Sequence, residues 1–172
     1  MIITPPDPTE YEGHFGNYIA RAHTTDLLAG LQADNENFAA FITSIPADKL
    51  DYRYADGKWT IREIITHLTD AERIFAYRAL RFARNDKTAL PGFEENDYVP
   101  ESNAAGRTVT SLLAEYQAVR SATITLLESL TPDMLLRKGT ASGKNLSVRA
   151  LGYVILGHTL HHQQVIRERY LQ

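Results

Sequence analysis

Two of the chain's six histidines, His158 and His162, stand one helical turn apart in the segment Gly157-His158-Thr159-Leu160-His161-His162. A helix turns by about 100° per residue. With His158 set at zero, Leu151 falls at about 20°, Val154 at about −40°, Ile155 at about 60°, Val165 at about −20° and His162 at about 40°. Both imidazoles therefore lie inside an apolar stripe, with His161 on its shoulder at about −60°. A buried ring nitrogen needs a partner. The i, i+4 spacing lets two rings reach one point from one helix face, as in the H-E-x-x-H metal motif. The plainer reading is a pair of core histidines, each satisfied by a separate neighbour.

A third nitrogen donor, His67, sits two turns into an earlier helix, about 75° from the centre of the stripe formed by Ile64, Leu68, Phe75 and Phe82. On that shoulder it can face a cleft between helices. Three histidines without a carboxylate resemble an open catalytic zinc site more than a closed structural one. Nickel, iron and manganese also accept imidazole. An ion with an open position lowers the pKa of a bound water or thiol and so supplies a nucleophile. Glu63 and Asp70, one turn either side of His67, are candidates to orient its ring. The plainer reading makes them a solvated helix face, with Glu63 used as a cap. Asp97 and Tyr98, in a long loop, are candidates to cover the site and carry a proton. No general base is evident, because Thr159 and Leu160 stand where H-E-x-x-H enzymes carry glutamate.

Four long helices are expected to position these residues. The first runs from about Thr25 to Ser44, capped by Thr24, Thr25 or Asp26 and ended by Pro46. The second opens with the capping box Thr60-Ile61-Arg62-Glu63 and runs to about Arg84. Residues 85–107, punctuated by Pro91, Gly92, Pro100 and Gly106, are too long for a tight turn and read as a crossover connection. The third helix spans about Thr110 to Leu130. Residues 139–143 (Gly-Thr-Ala-Ser-Gly) read as a loop, and Ser147 caps the fourth helix. A weak internal repeat pairs residues 44–50 with 130–135, and Thr60-Ile-Arg with Ser147-Val-Arg, which suggests two helical hairpins. Residues 1–22 read as an arm that packs on the body through Tyr11, Phe15 and Tyr18. Arg62 and Arg149 are expected to pair with acids, and Trp59 to anchor the entry of the second helix.

The composition fits one domain over residues 1–172: 44% of residues are hydrophobic and 23% charged, with a formal net charge of −3. No basic stripe marks a nucleic-acid surface. The absence of cysteine rules out disulfides, thiolate zinc sites and a cysteine nucleophile. No apolar run approaches the roughly 20 residues that span a bilayer. The first ten residues lack the features of a signal peptide, so a cytoplasmic location is the expectation.

Residues 56–68 (Asp-Gly-Lys-Trp-Thr-Ile-Arg-Glu-Ile-Ile-Thr-His-Leu), the following Thr-Asp-Ala-Glu72, residues 139–143 and residues 157–162 together resemble the DinB/YfiT-like superfamily of metalloenzymes. The similarity covers nearly the whole chain and is weakest in the arm. It implies an all-α four-helix bundle with a long crossover connection between helices two and three, often a homodimer. It also implies one divalent ion, zinc or nickel before iron or manganese, on His67, His158 and His162, with His161 outside the set. Some relatives are transferases that activate a low-molecular-weight thiol, and others are isomerases. Two functions are therefore expected to compete. One is a metal-dependent enzyme, a thiol S-transferase or a hydrolase acting on a small molecule. The other is a non-catalytic metal- or ligand-binding module or sensor. A wide, polar cavity around the metal favours the first, and a sealed site with a fourth protein ligand favours the second.

Overall fold

In the computed structural model, which describes residues 1–172, the chain order is α1 (Phe15–Ile19), α2 (Leu27–Thr43), α3 (Ile61–Ala83), α4 (Glu95–Tyr98), α5 (Val109–Glu128), α6 (Pro132–Leu135), β1 (Lys138–Ala141), β2 (Lys144–Ser147) and α7 (Val148–Arg169). The long helices start where a side chain satisfies a free backbone N–H. Asp26, Thr60, Thr108 and Ser147 cap α2, α3, α5 and α7 in turn, and Glu63 completes a capping box on α3.

These four helices form the bundle. Helix α3 packs along α5 and α7, and so does α2. The two helices of each half thus face one another across the bundle, where two side-by-side hairpins were expected. The links, residues 44–60 and 129–147, are long enough to cross it. Helices α3 and α5 run parallel: Arg62 donates to the Arg107 carbonyl at 2.9 Å near both starts, and Arg73 meets Glu115 at 2.6 Å further along. Residues 84–108 must therefore travel back along the bundle, and they do so with the short α4 and two 3₁₀ turns.

Residues 139–143 are not an open loop, as the sequence suggested. Strands β1 and β2 pair antiparallel around Ser142 and Gly143. Their φ values of 51° and 69° are those of a two-residue hairpin turn, which needs positive φ at both positions. The crossover docks on this hairpin, with Leu90 N–H donating to the Thr140 carbonyl and Ser142 N–H to that of Leu90. The arm is fixed to the body as well. Ile3 is 1% exposed and its carbonyl accepts from Leu27 N–H and Tyr153 O–H, both at 3.0 Å. Glu10, also buried, accepts from Ser147 and Arg149.

The apolar core falls into two clusters, one towards each end of the bundle. Between them lies a polar layer to which every long helix contributes. Arg120 on α5, 0% exposed, donates through Nε to both oxygens of Glu72 on α3 (2.9 and 3.0 Å) and through Nη1 to Asp34 on α2 (2.8 Å). Its Nη2 reaches Tyr116 and, on α7, Thr159. Gln163, also on α7, donates to Asp34 at 2.8 Å. A buried charge is costly unless paired and hydrogen-bonded, and here every charged group in the layer is both.

Candidate metal centre

His67 comes from α3, and His158 and His162 from adjacent turns of α7, which lies against it. Their Nε2 atoms converge: His158 Nε2 is 3.1 Å from that of His67 and 3.1 Å from that of His162. The three donor atoms lie within 4.8 Å of one another. His67 and His158 are buried and His162 is half-buried. Burial holds all three rings neutral. It pushes His67 down to about 4, and burial with the neighbouring imidazoles holds His158 and His162 well below the ordinary histidine value.

A neutral ring nitrogen carries either one proton or one lone pair. His158 Nε2 faces two nitrogens and can satisfy only one of them by a hydrogen bond. A cation at the point of convergence would use all three lone pairs. Tetrahedral zinc, at about 2.0–2.1 Å from each nitrogen, separates its ligand nitrogens by about 3.3 Å. The two contacts at 3.1 Å are near that spacing, so the residues present fit a divalent ion. His161 is outside the cluster, with its ring against Tyr18 and beside that of His162.

Aromatic rings hold the imidazoles in place. Trp59, just before the α3 cap, lies 4.6 Å from His67 and stacks on His162 at 6.4 Å, centroid to centroid. Tyr18 and Phe75 stand edge-on to His158 at 5.1 and 6.1 Å. Tyr18 reaches this place because α1 crosses α7 at Gly157. A Cβ there would lie 1.8 Å from the Tyr18 carbonyl oxygen, so only glycine permits the approach.

The histidines form one wall of a cavity of about 420 Å³. Phe75, Arg78, Phe93, Glu95 and Tyr18 line much of the rest. Glu95, half-buried on α4, is close enough to Tyr18 to help burial raise the pKa of its phenol.

The carboxylates expected around His67 are engaged elsewhere. Glu63 accepts from the Thr60 N–H and from Arg53, at 2.7 and 2.8 Å, so its cap role excludes it from the ring. Asp70 pairs with Arg73 on the outer face of α3. Asp97 is exposed and is not in the cavity lining, because the turn of α4 directs Glu95 inward instead. Arg62 and Arg149 do pair with acids, Asp51 and Glu10. Sequence reasoning passed over Glu95 and Arg78. Glu95 was as visible as Asp97 in the crossover, but nothing in the sequence set their directions.

A bundle whose facing helices bring three imidazoles to one point beside an open cavity belongs to a recognisable class of metal-binding proteins. The model of the DinB superfamily matches residues 30–166, and the chain belongs to that superfamily. Over 106 residues it is 26% identical to a protein of Geobacillus thermodenitrificans (strain NG80-2) named "Putative metal-dependent hydrolase". The match covers 62% of this chain, and this chain spans 60% of that relative. Among solved structures it resembles YfiT from Bacillus subtilis, described as a probable metal-dependent hydrolase with an unusual four-helix bundle topology. The TM-score is 0.72 at 19% identity, over 95% of this chain and 89% of that one, a likeness of fold. No helix is long and apolar enough to cross a membrane.

Proposed function

We propose that the protein is a metal-dependent hydrolase acting on a small molecule, with His67, His158 and His162 as the ligands of one divalent ion. The observation that carries this reading is the convergence of three neutral imidazole nitrogens on the wall of a cavity. A divalent ion held there supplies Lewis acidity and lowers the pKa of a bound water. The names borne by the relatives point the same way. The cavity favours an enzyme over a binding module, because a sealed site would admit no substrate.

The chain's own residues have distinct parts. His67, His158 and His162 stay unprotonated at neutral pH, which keeps their lone pairs available. Tyr18 keeps its proton there and offers an O–H donor. Glu95 offers the cavity's carboxylate and is the candidate to accept and return a proton. Phe75 and Phe93 exclude water from the floor and hold the apolar part of a substrate.

Metal content by plasma mass spectrometry, on untagged protein purified without chelator, tests the reading. About one ion per chain is expected in the wild type and almost none in His158→Ala, with the helical circular dichroism retained. Protein that takes up neither zinc nor nickel would sink the proposal.

A further inference from the structure

Seven arginines of the protein pair with a carboxylate, and one buried arginine differs from them. Arg120 is held by Glu72 and Asp34, and Arg149 by Glu10. Arg78, on α3 and 3% exposed, has no carboxylate within ion-pair distance. Its Nη2 donates to two neutral acceptors, the Pro91 carbonyl of the crossover (2.9 Å) and the Ser142 hydroxyl at the hairpin tip (3.0 Å). Those bonds account for one of its three nitrogens. Nε and Nη1 make no hydrogen bond within the protein and are not sealed from solvent, and Arg78 lines the cavity that the histidines line. The carboxylates beside Arg120 and Arg149 raise their pKa, whereas burial alone acts on Arg78 and lowers it.

A guanidinium largely withdrawn from water without a counter-charge is costly. A clamp between the crossover and the hairpin would need only neutral donors, so the charge itself is left without a structural use. Position supplies one. Arg78 lies over the Phe75 ring, 5.7 Å from its centroid, and the same ring stands edge-on to His158. Phe75 thus separates a fixed positive charge from the imidazole cluster, along one wall of one cavity.

We propose that Arg78 is a substrate-binding residue, and that the molecule this site accepts carries an anionic group, a carboxylate or a phosphate, set off by an apolar spacer from the bond that reacts. This rests on the reading of the cavity as the substrate site. Phe75 and Phe93 receive the spacer, and Nε and Nη1 receive the anion.

Three probes of matched shape test it: benzoate, phenyl phosphate and the neutral benzamide. Each is titrated into chelator-treated protein, where no ion competes for the anion, and into zinc-loaded protein. The readouts are calorimetry and the Arg78 Nε–Hε resonance in ¹⁵N-labelled protein. In the metal-free protein one of the two anions is expected to bind about tenfold or more tighter than benzamide and to shift the Arg78 resonance. Which anion wins identifies the group as carboxylate or phosphate. Arg78→Gln is expected to abolish the preference, and Arg78→Lys, which keeps the charge, to restore part of it. The wild-type preference and resonance shift stand even if Arg78→Gln does not fold. Equal binding of all three probes, or an unchanged preference in a folded Arg78→Gln, would overturn the inference. Failure of the metal reading shows differently, as absent zinc uptake with the anion preference intact.

Discussion

At the scale of single residues, the fold keeps the histidine cluster unprotonated to a lower pH than water would. The folded-state pKa of His67, about 4, lies below its ordinary value of 6.5, and those of His158 and His162 are displaced the same way. Between those values the unfolded chain binds more protons than the folded one, so stability rises with pH. This contribution is complete above about pH 6.5 and is lost as the pH falls through about 4. Glu10, lowered to about 2, acts with the same sign but in a more acid window. Chelator-treated protein is therefore expected to show a urea midpoint that climbs between about pH 4 and pH 6.5. His67→Leu should reduce the climb. A midpoint flat across that range would mean that the rings titrate as if exposed. The pair on α7 was legible because a 3.6-residue period fixes which positions share a face. His67 lay on a shoulder, and only the packing of α3 on α7 determined that this shoulder points into the cleft.

At the scale of elements, the crossing of α1 over α7 sets what stands above the histidines. Gly157→Ala places a methyl group against the Tyr18 carbonyl, a backbone atom that cannot rotate away. The expected result is a loss of about 1–3 kcal/mol in denaturant unfolding. Fluorescence or NMR should also show Tyr18 displaced from the His158 ring. Unchanged stability would mean that the two helices do not meet there. The helix ends were readable because caps are local: Asp26, Thr60 and Ser147 stand where the sequence suggested, and the boundaries of α2 and α3 fall within two residues of expectation. The hairpin was not read. Four-residue strands such as Lys-Gly-Thr-Ala have little periodicity, and their pairing depends on Leu90 and Tyr11, distant in sequence. The Ser-Gly turn was the only local sign of it. The relative placement of the long helices was hidden too, since links of such length allow neighbouring or opposite positions alike.

For the molecule as a whole, the layer centred on Arg120 is the junction at which all four long helices meet. Most of its members are polar residues of ordinary surface types, and apart from Tyr116 the partners of Arg120 lie on other helices, so periodicity gave no sign of it. On every long helix the layer residue falls between the two apolar clusters: Asp34 between Leu31 and Phe38, Glu72 between Leu68 and Phe75, Arg120 between Tyr116 and Ile124, and Thr159 between Leu156 and Ile166. Arg120→Ala strands two buried carboxylates and is expected to cost about 3–5 kcal/mol, read as a lowered urea midpoint. A change within about 0.5 kcal/mol, typical of surface positions, would show that water already enters the layer. The same arrangement bears on descent. One guanidinium serves acids on two other helices, so no single replacement among Arg120, Asp34 and Glu72 leaves the other two satisfied, and intermediates on the way to a different core are penalised at every step. In a collection of homologous chains these three positions should change together or not at all, tracing by inheritance a contact that no short stretch of sequence reveals.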